Sequence, residues 1–271
     1  MAPKLGIIAG GGPLPGNLAT ACEASGRDCF VLALDDQTDP KIIEPFPHKW
    51  IRMGEIRRGI EILREEGVTE LVFIGPVKRP SLRELKLDAW AVRKAAMLGL
   101  RWIGDDSILS TLIRALEEEG FSVVGAETIL EDCVALPGAY GVHAPDEEQW
   151  PDIRHGVRIA RAVGELDIGQ GAVVQQGIVL GVEGIDGTDA LIRRCAPLQR
   201  SGTGAVLVKS CKPQQERRID LPTIGPGTIE ILAEAGFSGV AVEAGRALIL
   251  DREEVVKSAD ESGLFVIGVD P

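Results

Sequence analysis

Short apolar runs alternate with segments of helical periodicity along this chain, and the alternation restricts its fold more than any other feature. The runs in the first half are rich in β-branched, aromatic or aliphatic residues and are bounded by Gly, Asp or Pro, as buried strands are. The intervening segments repeat apolar residues opposite a charged face. This pattern predicts a mostly parallel sheet with helices on both faces. The predicted strands are 5–9, 30–34, 49–53, 71–74 and 122–125, and the predicted helices are 17–25, 56–66, 82–98 and 107–119.

The alternation stops at residues 137–151, which combine Pro, Gly and acidic residues without periodicity, and then resumes. We therefore predict an α/β protein of two α/β domains. Residues 1–138 form a Rossmann-like domain, 139–151 a linker, and 152–271 a smaller α/β domain. The predicted strands of the second half are 173–182, 205–208, 240–242 and 265–269, and its predicted helices are 153–163, 189–198, 226–235 and 252–258.

Composition excludes several classes of protein. Asp and Glu outnumber Lys and Arg by 41 to 29, and no basic run offsets this, so we expect no nucleic-acid partner. The five cysteines are an odd number without a CxxC pair, which argues against a disulfide framework or a thiolate metal site and favours a reducing cytoplasm. We find no signal peptide or membrane-spanning segment, although a role at a membrane surface stays open.

The strongest local signal is a glycine turn, Gly10 to Gly12, between the first strand and the first helix. Glycines allow backbone N–H groups to approach a phosphate, and the helix N-terminus adds a favourable dipole. Pro13 and Pro15 remove two N–H donors, so the turn departs from ordinary dinucleotide binding, and no Walker lysine is present. The alternative is a turn that serves only tight strand-to-helix packing.

Two other segments are predicted to lie at the sheet end and to face the same crevice, because open parallel sheets bind ligands beyond the carboxyl ends of their strands. The first carries Gly75, Lys78 and Arg79, whose cations can neutralise a diphosphate. The second is Gly104 to Asp106, whose aspartates can hold a metal or a sugar hydroxyl. The alternatives are solvated basic residues and a simple helix cap, respectively.

The second domain contains a long polar loop, residues 209–225, between a predicted strand and a helix. Lys209, Lys212, Arg217 and Arg218 are cationic donors for phosphoryl oxygens, and Asp220 is the hard oxygen ligand that Mg²⁺ prefers. This set fits phosphoryl or pyrophosphoryl chemistry, while the alternative is a solvated charge run.

A shorter segment, residues 182–189, ends one predicted strand and begins a helix. Glu183 or Asp189 can sit in the crevice, and Asp186 or Thr188 can cap the helix. The three histidines are isolated from any partner at motif spacing, so neither a hydrolase triad nor a histidine metal site is predicted.

Taken in order, these segments resemble one family, the UDP-2,3-diacylglucosamine pyrophosphatases of lipid A biosynthesis, of the two-domain type unrelated to metallophosphoesterases. The resemblance covers essentially the whole chain, and five separated motifs agree in order and spacing. They are Gly10-Gly11-Gly12-x-Leu14-Pro15, Gly75-Pro76-Val77-x-Arg79-Pro80, Gly104-Asp105-Asp106, Glu183-Gly184-x-Asp186-Gly187-Thr188-Asp189 and Lys212-Pro213-x-Gln215-x-Arg217-x-x-Asp220-x-Pro222-x-x-Gly225-x-x-Thr228.

The resemblance implies Mg²⁺-dependent hydrolysis of the pyrophosphate bond of UDP-2,3-diacylglucosamine, to UMP and 2,3-diacylglucosamine 1-phosphate (lipid X), at a site between the domains. It implies Asp220 as catalytic residue and Mg²⁺ ligand, with Lys209 and Arg217 as further catalytic residues. It also implies a lipid-linked UDP-sugar as partner. We further expect a cytoplasmic protein that can contact the inner face of the inner membrane transiently and can form a homodimer. The substrate-binding candidates are Gly11, Gly12, Leu14, Pro15, Gly75, Lys78, Arg79, Gln175, Thr188, Asp189, Lys212 and Thr223.

Two other functions stay open on the residues alone. A non-catalytic nucleotide-sugar binding protein needs the same glycine turn, and a nicotinamide-dependent oxidoreductase is suggested by the position of that turn.

Overall fold

The computed structural model describes residues 2–77, 87–97, 105–211 and 221–270. These residues form two compact units of similar length. The described residues up to Leu130 make the first unit, and those from Glu131 onward make the second. No helix within the described ranges is long and apolar enough to cross a bilayer.

The first unit is built on a five-stranded sheet whose strand order is β3-β2-β1-β4-β5, with every pair parallel. The mainly parallel sheet predicted from the alternating pattern is confirmed. Ala9 is level with Ala33 on one side and with Ile74 on the other, so β1, β2 and β4 end at one edge. The strands are β1 (Leu5–Ala9), β2 (Cys29–Leu34), β3 (His48–Ile51), β4 (Glu70–Ile74) and β5 (Ser122–Val123).

Helices pack on this sheet through buried apolar side chains, as α3 illustrates. In α3, Ile60 and Leu63 are buried in the same apolar cluster as Leu71 of β4, while Arg57 and Glu61 pair on the exposed side. The short helix α2 was not predicted, and the Asp39 side chain caps it by accepting from the Lys41 amide at 3.0 Å. The helices are α1 (Leu14–Ala24), α2 (Pro40–Ile43), α3 (Ile56–Glu65), α4 (Ala89–Met97) and α5 (Asp105–Glu118).

The second unit has a mixed six-stranded sheet of order β6-β13-β11-β9-β7-β8, in which β9, β11 and β13 are parallel. The pairs β6–β13, β7–β9 and β7–β8 are antiparallel. A separate two-stranded parallel pair joins β10 to β12. The strands are β6 (Gly138–Tyr140), β7 (Gly171–Gln175), β8 (Ile178–Val182), β9 (Val206–Lys209), β10 (Thr223–Ile224), β11 (Gly239–Glu243), β12 (Leu248–Ile249) and β13 (Phe265–Val269).

Two segments of the second unit differ from the prediction for physical reasons. Residues 173–182, predicted as a single strand, form the β7–β8 hairpin, because Gln176 and Gly177 both adopt positive φ, at 52° and 76°. Both turn amides donate to the buried carboxylate of Asp152, at 2.7 and 2.6 Å. The aperiodic stretch that we took as a domain boundary contributes strand β6, which is too short to show a period.

The helices of the second unit are α6 (Gln149–Glu165), α7 (Gly187–Cys195), α8 (Pro226–Glu234) and α9 (Arg252–Ser262). Strand register brings the ends of β9 and β11 and the beginning of β7 to one edge of the six-stranded sheet. Lys209, at the end of β9, is level with Val242 of β11 and with Gly171, where β7 begins. We call this edge, with its side chains Glu183, Thr188, Lys209, Ser210 and Glu243, the polar edge.

Candidate functional site

The glycine turn of the first unit packs against the end of β4. The Gly10 amide donates to the Ile74 carbonyl and the Gly11 amide to the Pro76 carbonyl, both at 2.8 Å. A Cβ placed on Gly10 would lie 2.4 Å from the Gly75 carbonyl oxygen. These two amides are therefore used within the fold, and the packing alternative explains Gly10.

Gly12 and Leu14, in the rest of the turn, are not packed against β4 in the way that Gly10 is. Gly12 has φ +70°, is exposed, and would place a Cβ no closer than 3.7 Å to another atom. Within the described part of the chain, neither its amide nor that of Leu14 donates to a backbone carbonyl, and α1 has no side-chain cap. The Leu14 amide is at the N-terminus of α1, where anions are attracted, and the Gly12 amide lies just before it, so these two are the phosphate-suited donors of this turn. Pro15 is buried behind them.

Thr38 fixes the loop beside this turn, and the sequence analysis did not identify it. Its buried hydroxyl donates to the Ala9 carbonyl at 2.6 Å and accepts from the Leu34 amide at 3.2 Å. It therefore ties the ends of β1 and β2 together just before the glycines. A threonine four residues after a buried strand was the available signal.

Three predicted residues meet at the polar edge of the second unit. The Lys209 side chain is only 5% exposed. Its Nζ donates to Thr188 Oγ1 at 2.8 Å and to the Thr223 carbonyl at 3.2 Å. Burial of an ammonium is costly unless it is hydrogen-bonded, so these contacts hold the amine in one place.

Glu183 completes this group. Thr188 Oγ1 donates to Glu183 Oε1 at 2.6 Å, and the Gln170 amide donates to Glu183 Oε2 at 3.1 Å. The threonine hydroxyl thus accepts a hydrogen bond from a buried cation and donates one to a buried carboxylate. Thr188 does not cap α7 through its side chain, contrary to one reading of the sequence.

Asp186 orders the loop before α7. Its carboxylate accepts from Arg194 Nε at 2.9 Å and from the Gly184 amide at 3.2 Å. The hydrogen bond and charge of Arg194 lower the pKa of Asp186 below its usual value. Asp189 is exposed in the first turn of the helix.

A second buried carboxylate, Glu243, lies at the end of β11 and is 1% exposed. Its Oε2 accepts from the Ser210 hydroxyl and from the Cys211 amide, the latter at 3.2 Å. Its Oε1 faces Arg161 Nη2 at 3.3 Å and Arg246 Nη1 at 3.2 Å. The sequence analysis missed this group, because a glutamate directly after a short apolar strand was its only sign.

Gln175 lies away from the polar edge. Strands β7 and β9 are antiparallel, and Val174 is level with Val206, so Gln175 follows at the opposite edge of the sheet. Its amide donates to the Arg200 and Thr203 carbonyls and accepts from the Arg200 amide. These contacts give Gln175 a structural role, and we leave it out of the site proposed below.

Several predicted site residues lie outside the described ranges. They are Lys78, Arg79, Gly104, Lys212, Arg217, Arg218 and Asp220. Among the described residues, no group of three or more His, Cys, Asp or Glu side chains is arranged to hold a metal ion.

Comparison with known proteins gives matches over the full chain. Residues 4–133 match the family model described as the LpxI N-terminal domain, and residues 137–267 match that of the LpxI C-terminal domain. A curated protein of Caulobacter vibrioides, UDP-2,3-diacylglucosamine pyrophosphatase LpxI, is 42% identical, with 99% of this chain and 98% of that protein aligned. A solved structure, the precorrin-6A reductase CobK, is 13% identical with a TM-score of 0.31, covering 99% of this chain and 88% of that one.

Proposed function

This chain belongs to the LpxI family, and from that membership we propose that it is a hydrolase that cleaves the pyrophosphate bond of UDP-2,3-diacylglucosamine. The observation that carries the proposal is the 42% identity to the Caulobacter pyrophosphatase over 99% of the chain. The polar edge and the glycine turn both provide donors for phosphoryl oxygens, which supports the same chemistry.

In the proposed reaction, water is the second substrate. The water oxygen forms a bond to one phosphorus while that phosphorus loses its bond to the bridging oxygen, and the proton released goes to solvent. UMP and 2,3-diacylglucosamine 1-phosphate are the products. Negative charge grows on the leaving oxygen, so fixed positive donors stabilise the transition state more than the ground state.

We assign Lys209 the role of such a donor. An ammonium has three N–H groups, and in the described residues two of them bind Thr188 and Thr223. The third is left for a phosphoryl oxygen. Because the other two contacts pre-orient the amine, little reorganisation is needed during the reaction.

In the first unit, we assign phosphate contact to the amides of Gly12 and Leu14. Gly11, Pro15 and Gly75 shape the turn rather than donate to the ligand, since the Gly11 amide is already used and proline has none. Asp189, exposed beside Thr188, stays in the proposed site as a hydroxyl acceptor.

Mg²⁺ and the remaining site residues are also part of the proposal. Mg²⁺ is usually held by one or two carboxylates together with substrate phosphates, so a single Asp220 suffices on the protein side. One buried oxygen at the polar edge, Gln170 Oε1, has no partner among the described residues and is of the type that Mg²⁺ accepts. Bound Mg²⁺ would neutralise charge on the diphosphate. Lys78, Arg79, Lys212 and Arg217 are proposed as further phosphate ligands.

The test is Asp220→Ala, with Asp132→Ala as control because Asp132 is exposed in the second unit. We expect Asp220→Ala to lower UMP release from UDP-2,3-diacylglucosamine by about 100-fold or more while substrate binding stays measurable. EDTA should abolish wild-type turnover and Mg²⁺ should restore it. Full turnover by Asp220→Ala would refute its assigned role. Tight binding by wild type without UMP release would instead favour a nucleotide-sugar binding protein.

We further propose that the enzyme works in the cytoplasm, meets its lipid substrate through transient contact with the membrane, and forms a homodimer. The five cysteines are an odd number without a CxxC pair, which argues against a disulfide framework and supports a reducing compartment. Vesicle co-sedimentation with and without the lipid substrate, and sedimentation velocity of the protein alone, test the contact and the dimer.

A further inference from the structure

Two arginines converge on one oxygen of Glu243 at the polar edge. Arg161 Nη2 and Arg246 Nη1 lie 3.3 and 3.2 Å from Glu243 Oε1, so the two guanidinium groups are close together. The carboxylate is 1% exposed, whereas the arginine side chains are 32% and 37% exposed. The buried carboxylate of Glu243 therefore holds both arginines, while part of each arginine side chain is accessible to solvent or to a ligand.

Both arginines belong to the edge that holds Lys209. Arg161 lies in the last turns of α6, and only residues 166–170 separate that helix from Gly171, which is level with Lys209. Arg246 follows the end of β11 on a turn closed by its own amide, which donates to the Glu243 carbonyl at 3.2 Å. The Gly245 amide ties the same turn to the Ala135 carbonyl at 2.8 Å. The backbone thus fixes the position of Arg246.

Donor capacity remains on each guanidinium. A guanidinium has five N–H donors, and within the described residues the recorded contact of each of these arginines is to Glu243 alone. One carboxylate balances one of the two cations, so one positive charge is in excess. Guanidinium forks match phosphoryl oxygens in geometry, and they bind them bidentately.

We propose that Arg161 and Arg246 form a phosphoryl-binding site framed by Glu243. The one excess positive charge of the pair attracts an anion, and the several oxygens of a phosphoryl group can accept from both guanidinium forks at once. Glu243 also binds Ser210 and Cys211, and so holds the two residues that follow Lys209. The phosphoryl group can come from the substrate of the proposed function, on which this one alternative rests, or from free phosphate.

The probe is inorganic phosphate at low ionic strength, followed by calorimetry and by the arginine Nε–Hε signals in NMR spectra of the full chain. We expect saturable binding that Arg161→Gln and Arg246→Gln each weaken about tenfold, because each loses charge-assisted hydrogen bonds. Each single variant leaves Glu243 one guanidinium, which keeps the buried carboxylate paired. Arg158→Gln, on the same helix but exposed and outside the cluster, should bind phosphate as wild type does.

Glu243→Gln separates this site from a purely structural ion-pair network. The amide still accepts from Ser210 and Cys211 but no longer competes for the guanidiniums, so phosphate binding should be retained or tightened. The proposal is overturned if wild type shows no saturable binding, if both arginine variants bind like wild type, or if Glu243→Gln weakens binding as much as they do.

Turnover assays identify the source of the phosphoryl group. Competitive inhibition by phosphate, with an inhibition constant matching its Kd, assigns the site to the substrate, whereas binding without competition assigns it to free phosphate. If wild type fails to hydrolyse the lipid but the phosphate results hold, the proposed function alone fails. If hydrolysis is seen without any arginine-dependent phosphate binding, this site alone fails.

Discussion

Thr188→Val removes the hydroxyl between Lys209 and Glu183 and keeps the shape of the side chain. Two hydrogen bonds are lost, one of 2.6 Å to the carboxylate and one of 2.8 Å from the ammonium. Both charged partners are at least nine-tenths buried, so water replaces the lost contacts poorly. Hydrogen bonds to charged groups are worth about 1.5–3 kcal/mol each, and the added methyl returns about 0.8 kcal/mol. We therefore expect a loss of about 2–5 kcal/mol in the free energy of unfolding.

Urea unfolding followed by circular dichroism measures this loss, and Thr203→Val is the matched control. Thr203 Oγ1 reaches Glu148 Oε2 at 3.4 Å in an exposed pair, so its removal should change stability by less than about 0.5 kcal/mol. In turnover assays, Thr188→Val should lower kcat about tenfold, because Lys209 loses one of the contacts that orient it. The reasoning fails if Thr188→Val and Thr203→Val have equal unfolding free energies.

Two further predictions concern the glycine turn and the α7 loop. Gly10→Ala should cost about 2–3 kcal/mol, since its Cβ would lie 2.4 Å from a backbone oxygen, whereas the Cβ of Gly12→Ala meets only ordinary contacts at 3.7 Å or more and the variant loses about 1–2 kcal/mol through its positive φ. Urea unfolding compares them, and equal losses would contradict the packing argument. For Asp186, whose pKa Arg194 lowers, the ion pair stabilises the fold above the unfolded-state pKa, and this contribution disappears as pH falls through the lowered folded-state pKa. NMR titration should show the Asp186 pKa rising toward its ordinary value in Arg194→Gln, and an unchanged pKa would refute the pairing.

Local sequence patterns were sufficient to predict an element and its bounds where a single pattern dominated the segment. Leu5–Ala9 and Phe265–Val269 are buried strands with the bounds expected from their apolar residues. The pattern was insufficient at the β7–β8 hairpin, since its turn depends on Asp152, which is 24 residues from Gln176 in sequence and binds the turn amides. Short elements such as β6 are formed through pairing with distant strands, and three residues carry no period.

For the candidate site, sequence alone determined the residue types that phosphoryl chemistry needs and the segments that carry them, including the glycine turn, Lys209 and Thr188. It did so because these residues follow strands, and parallel strands end at a common edge. Tertiary structure alone decided that the Gly10 and Gly11 amides are used by the end of β4, that Gln175 lies at the opposite edge of its sheet, and that Glu243 holds two arginines. Those outcomes depend on contacts between residues far apart in the chain, which a local pattern does not encode.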